Sequence, residues 1–247
     1  MGPARVTPTP CNIADLPPID AVVISHNHYD HLDLNTIKQL AKPETWFFVP
    51  LGNKQWFLDI GIKNVVECDW WDEYKLEVQK DGVDAKATIA ATPCQHFTGR
   101  SLTDRYKTLW SSWVVEANDT SMFFGGDTGY RTVEKGFTGD LDSLPHCPAF
   151  KEIGEKYGPF DISAIPIGAY SPRWVMSPVH CSPEDAVCVH QDVKSKHSIG
   201  IHWATFTLTD EPYFEPPQRL KKSLAEKGLP ESEFHTLTIG ESIDVKK

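Results

Sequence analysis

Short apolar runs recur along this chain, separated by polar or glycine-containing positions. The run Ala21-Val22-Val23-Ile24 is continuous and β-branched, the pattern of a strand buried on both faces. Similar runs at residues 46–49, 64–66, 85–91, 113–115, 121–124, 162–167 and 198–201 predict further strands. Helical spacing predicts helices at 34–41, 54–60, 150–156, 183–193 and 218–227. The fourth opens with Ser182 as N-cap, Pro183 in the first turn and the acids Glu184 and Asp185 behind it. Strands and helices interleave, which predicts α/β layers. Residues 1–19, rich in proline, read as an irregular lead-in. A length of 247 residues suits one large α/β domain, so a single domain over 1–247 is expected.

Composition narrows the partners. Apolar residues at 40% and charged residues at 23% fit a packed globular chain rather than a disordered one. A net charge of −10 argues against nucleic acid, because phosphate binding needs clustered Lys and Arg. It argues equally against purely electrostatic docking on anionic lipid, so any membrane contact has to be apolar. Cys11, Cys68, Cys94, Cys147, Cys181 and Cys188 form no C-X-X-C pair and read as free thiols of a reducing compartment. No run reaches the roughly 18 apolar residues of a membrane span, and no signal peptide opens the chain. Gly2 does not begin a myristoylation motif, since Pro3 follows it and Val6 stands where Ser or Thr is required. An intracellular, peripheral location is expected.

The chemistry concentrates after the first predicted strand, in Ser25-His26-Asn27-His28-Tyr29-Asp30-His31. In an extended segment His26, His28 and Asp30 share one face, and His31 needs only a turn to join them. Imidazole and carboxylate suit a borderline cation such as zinc, and a mixed set with open positions is the catalytic type. A solvated polar loop is the plain alternative, but four metal-capable side chains within six positions argue against it. Further candidates stand at the ends of later runs: His96 after 85–93, Asp127 within Gly125-Gly126-Asp127-Thr128-Gly129, and His202 after 198–201. A lone histidine at such a place is more often packed than ligating. Beside the first cluster, each reads as a ligand, because ligands at the same ends of successive strands converge on one rim of a sheet.

The run His26-X-His28-X-Asp30-His31, with a later His, Asp and His, resembles the metallo-β-lactamase superfamily signature. Longer words are similar to its N-acyl-phosphatidylethanolamine-hydrolysing phospholipase D branch. They include Leu16-Pro17-Pro18-Ile19-Asp20-Ala21-Val22, Phe160-Asp161, Ala164-Ile165-Pro166-Ile167-Gly168-Ala169-Tyr170, Pro172-Arg173-Trp174, Pro183-Glu184-Asp185-Ala186-Val187, Ile201-His202-Trp203 and Glu215-Pro216-Pro217. The likeness covers nearly the whole chain. It implies an αββα sandwich and two zinc ions: His26, His28 and His96 on one, Asp30, His31 and His202 on the other, Asp127 bridging. A hydroxide shared by the two ions would then hydrolyse N-acyl-phosphatidylethanolamine to N-acylethanolamine and phosphatidic acid. Asp30, Asp127 and His180 are thus the expected catalytic residues. His180, Arg173, Trp174 and Tyr29 are the expected substrate contacts.

The partners implied are a phospholipid at a membrane surface and a second copy of the chain as a homodimer. Two departures from the family stand out. The chain begins where the family has already laid down N-terminal strands, so one sheet is expected to lack strands and expose an edge. Residues 131–146 look like an insertion near Asp127 that leans over the site mouth. Rival readings are another superfamily hydrolase, such as a sugar-phosphate lactonase, and a truncated metal-binding chain without turnover. His146, His190, His197 and His235 are expected to be surface or packing residues.

Overall fold

The computed structural model describes residues 4–80 and 83–245; Gly2 and Pro3, on which the myristoylation reading turned, lie outside them. The chain forms two compact units. One, here the N-terminal unit, comprises Thr9–Pro93 and Phe97–Asn118. The other, the C-terminal unit, comprises Met1–Pro8, Cys94–His96 and Asp119–Lys247.

In the N-terminal unit a parallel sheet is ordered β1 (Ala21–Val23), β2 (Trp46–Pro50), β3 (Val65–Cys68). Ala21 pairs with Trp46, and Phe47 with Val65. The crossovers are α1 (Leu34–Leu40), capped by the Asp33 side chain accepting from Thr36 N, and α2 (Lys54–Asp59). Ile24, Leu32, Ile37, Phe47, Val49, Phe57 and Val65 form one buried cluster under them. β1 is only half-buried, unlike the fully buried strand that its apolar run predicts. Among the described residues β1 has one ladder neighbour, β2, and its burial comes from that side. β4 (Glu73–Lys80), β5 (Val83–Thr92) and β6 (Ser112–Ala117) follow as an antiparallel meander. The fully buried Trp113 of β6 donates its indole N–H to Ile24 O at 3.0 Å, which ties the meander to the segment after β1.

The C-terminal unit holds four parallel strands in the order β10-β9-β8-β7. They are β7 (Thr120–Phe124), β8 (Ile162–Pro166), β9 (Ser198–Ile201) and β10 (Phe234–His235). The connections carry α3 (Ala149–Lys156), α4 (Arg173–Met176), α5 (Pro183–Asp192) and α6 (Glu215–Glu226). The core is aromatic and aliphatic: Phe123, Phe150, Phe160, Ile165, Val187, Leu220 and Leu224 are buried. Asp161 pins the start of β8, accepting from Ser121 N at 2.9 Å and from Lys196 Nζ at 2.8 Å.

The α/β expectation therefore holds, and every predicted strand and helix exists within a few residues of its expected place. The lead-in is mostly irregular, with a 3-10 turn at Ile13–Asp15 and a bridge from Arg5 to Phe206. None of the six cysteines, all among the described residues, is in a disulfide. No helix among the described residues is long and apolar enough to cross a membrane.

Candidate metal centre

In the N-terminal unit the segment after β1 is pinned on both sides: Ile24 N donates to Phe48 O at 2.9 Å, and Ser111 N to Ser25 O at 2.8 Å. The extended stretch stops at His28. His31 N and Leu32 N both donate to His28 O, at 3.1 and 2.8 Å, because the wholly buried Leu32 draws the chain back into the apolar cluster. The turn brings His31 over His26, with ring centroids 4.2 Å apart, while His28 stands edge-on to His26 at 4.5 Å. His26 Nε2 lies 2.9 Å from His28 Nδ1, and His31 Nε2 lies 3.3 Å from Asp30 Oδ2. Ser25 Oγ occupies the other nitrogen of His26 at 2.9 Å.

In the C-terminal unit β7 delivers the turn Gly125-Gly126-Asp127-Thr128-Gly129. Gly126 adopts φ +61°, a left-handed conformation that suits glycine. A Cβ on Gly129 would sit 2.7 Å from Ser177 O, so only glycine lets this turn run flush against the segment leading to His180. Gln95 is stitched to the same turn: its N–H donates to Thr128 Oγ1 at 2.8 Å, and its carbonyl accepts from Gly129 N at 2.7 Å. His96 is thereby placed with Nε2 3.6 Å from Asp127 Oδ2, its Nδ1 facing Val179 O at 2.9 Å. That backbone contact fixes the ring and leaves Nε2, on the Asp127 side, as the nitrogen available to an ion. His202 follows β9 at φ +61°, and its carbonyl lies where a Cβ on Gly168 would stand, 2.0 Å away. Its Nε2 is 3.1 Å from Asp127 Oδ1.

The two oxygens of Asp127 thus face two different histidines. His180 joins them: its ring stacks on His202 at 5.5 Å and meets His96 edge-on at 5.1 Å. Asp127, His180 and His202 each offer a ligand atom within 4.8 Å of the others, so His180 belongs to this cluster of candidate ligands as well. Four neighbouring donor pairs lie 2.9–3.6 Å apart. Donors held at about 2.0–2.1 Å around a tetrahedral zinc ion stand roughly 3.3 Å from one another, so the donor set fits a borderline divalent cation.

Arg173 is taken up within its own unit. Its Nη2 pairs with Asp185 Oδ2, and its Nη1 donates to His180 O at 3.3 Å. Asp185 is wholly buried and also receives Arg131 Nε at 3.0 Å, while Ser182 and Asp185 form the capping box of α5. Burial pushes the Asp185 carboxyl up, against the pull of the two guanidiniums. Trp174 is half exposed, with Lys135 Nζ 5.1 Å above its ring. Tyr29 is exposed, and its hydroxyl donates to Arg100 O at 3.0 Å. Residues 131–146 close on themselves through the Arg131–His146 bridge and reach Ser177, whose hydroxyl accepts from Val133 N at 2.8 Å. With Arg173, Trp174, Glu184 and Arg219 they line a cavity of about 430 Å³.

Sequence reasoning missed residues that brace the candidate site. Asp185 reads as a first-turn acid, yet its carboxylate sits between Arg131 and Arg173. Glu211, in a stretch with no pattern, accepts from Ala169 N and Ser171 N at 2.5 and 3.0 Å and so fixes the turn after β8. The other histidines sit as expected: His190 is buried, stacked on Phe234 and bonded to Ser198 Oγ at 2.8 Å, and His146 stacks on Tyr130.

The family model described as "Beta-lactamase superfamily domain" matches residues 1–203. The chain is 41% identical to N-acyl-phosphatidylethanolamine-hydrolyzing phospholipase D 1 of Caenorhabditis elegans, over 97% of this chain and 65% of that protein. It is 35% identical to the mitochondrial N-acyl-phosphatidylethanolamine-hydrolyzing phospholipase D of Saccharomyces cerevisiae, over 92% of this chain and 45% of that one. The chain thus spans less than two thirds of the length of either relative. Among solved structures, the metallo hydrolase Igni18 of Ignicoccus hospitalis superposes with a TM-score of 0.58 at 19% identity, over 92% of this chain and 79% of that one, which establishes the fold. The chain belongs to the metallo-β-lactamase superfamily, in the branch of proteins similar to the N-acyl-phosphatidylethanolamine-hydrolysing phospholipases D.

Proposed function

We propose that this protein is a zinc-dependent phosphodiesterase of the phospholipase D type, acting on N-acyl-phosphatidylethanolamine at a membrane surface. The observation that carries the reading is the 41% identity with the worm relative of that name across 97% of the chain, in a protein that keeps every expected metal donor. His26, His28, Asp30 and His31 in one unit, and His96, Asp127 and His202 in the other, are the proposed ligands of two ions. Bound there, the ions would supply Lewis acidity to the phosphoryl group and lower the pKa of water. Asp127, with one oxygen toward His96 and the other toward His202, is the ligand suited to serve both ions.

In the reaction water adds to phosphorus, and the bond from phosphorus to the N-acylethanolamine oxygen breaks. His180, buried beside His202, donates the proton that the leaving alkoxide takes up. Arg173 holds the His180 carbonyl, and Trp174 and Tyr29 offer exposed aromatic surface to the lipid. The test joins metal analysis of the purified chain to an assay of N-acylethanolamine release from detergent-dispersed substrate. Two ions per chain with chelator-sensitive release is the expected result. A metal-loaded chain that releases none would overturn the reading.

A further inference from the structure

We infer that Arg100 is a positioning residue for the metal-binding turn of residues 27–32, an inference that rests on the metal reading of His28, Asp30 and His31. One nitrogen, Arg100 Nη1, donates to Asn27 O at 2.8 Å and to Leu32 O at 2.9 Å. These carbonyls stand at the two ends of the turn, so a single charged donor closes it from outside, as the bonds to His28 O close it from within. The guanidinium also lies 4.1 Å above the Tyr29 ring, and the Tyr29 hydroxyl donates back to Arg100 O at 3.0 Å.

Arg100 is itself held. Its own N–H and that of Ser101 donate to the Asp104 carboxylate at 2.8–3.1 Å. Gly99 N donates to Asn27 Oδ1 at 2.9 Å, and Asn27 Nδ2 to Thr108 Oγ1 at 3.2 Å. The turn that bears His28, Asp30 and His31 is therefore clamped by a second ordered turn that contributes no ligand. A clamp of this kind orders ligands before the ion arrives, and losing such an outer contact weakens metal binding about 10–100-fold. Lysine offers a point charge in place of the planar fork and cannot stack on Tyr29 in the same way.

The experiment uses the full chain and Zn²⁺ in competition with a chromophoric chelator, with hydrogen exchange measured on the metal-free protein. Arg100→Met should weaken the tightest zinc site about 10–100-fold, and Arg100→Lys should recover part of the loss. Leu102→Ser, a fully exposed position in the same turn, should bind as wild type. In metal-free Arg100→Met the His31 and Leu32 amides should exchange faster, with β5 and β6 unchanged. Wild-type affinity and protection in Arg100→Met would overturn the inference, as would loss of protection spread equally over β5 and β6. Should the wild type bind no zinc, the metal reading fails, while the exchange arm, run without metal, still decides whether Arg100 clamps the turn.

Discussion

Asp127 and His180 lie within one ligand atom's reach of His202, yet they are suited to different work. A carboxylate facing two histidines offers an oxygen on each side and shares one negative charge between them, whereas an amide keeps the shape but is neutral and replaces one oxygen with an NH2 group. Asp127→Asn is expected to weaken metal binding by more than the roughly 10–100-fold seen when only an outer contact is lost. Metal content of the dialysed variant, read against wild type, checks it, and full retention would remove Asp127 from the ligand set. His180 is expected to move protons rather than hold metal. His180→Ala should therefore keep its metal while turnover falls about 10²–10⁴-fold, the usual effect of removing a positioned acid or base. A variant that loses metal as well would make His180 a ligand.

At the scale of elements, the word Pro-Ile-Gly-Ala-Tyr gains a physical meaning. Gly168 and Ala169 turn the chain away from β8, with Ala169 at φ +65°, and the bare Cα of Gly168 lets the His202 carbonyl pass. A methyl group 2.0 Å from a backbone oxygen forces the backbone apart. Gly168→Ala is expected to cost about 1–3 kcal/mol and to displace His202. A lowered melting temperature together with weaker metal binding checks it, and a variant melting with wild type would show that the two segments part freely.

The strands that end in these residues were legible, since continuous apolar runs mark them. β4 was missed although Tyr74, Leu76 and Val78 alternate with exposed Glu73, Lys75, Glu77 and Gln79. Its charge hid a period of two. β10 is two residues long and gives no period at all. Among the site residues, His26, His28, Asp30 and His31 announced themselves by density, whereas Asp185 and Arg100 act through partners distant in sequence. The turn after His28 also departed from an extended face, because burial of Leu32 outweighs strand continuation.

For the whole molecule, acid is the sensitive direction. Lys227 holds Asp142, and Lys196 with the Ser121 amide holds Asp161, below the usual carboxylate range. Burial works against Glu184, but Arg219 still holds it low. Carboxyls lowered in the folded state contribute stability that is complete above their unfolded pKa and is lost as pH falls through the folded one. Melting temperature should hold above about pH 5 and drop below about pH 4. Asp161→Asn should melt below wild type at neutral pH, with the gap closing toward about pH 2; a gap that stays constant across that range would remove Asp161 from the account.

The make-up of the C-terminal unit has a consequence for synthesis. It takes three residues, Cys94–His96, from between two stretches of the other unit. Residues 9–93 and 97–118, which make up the N-terminal unit, leave the ribosome before residues 119–247 of the other. His96 emerges with them, but Val179, whose carbonyl its ring faces, and Thr128 and Gly129, which hold the adjoining Gln95, are still to be made. Until Val179 has been added, a candidate metal ligand waits on a nascent chain before the residues that will orient it have been made.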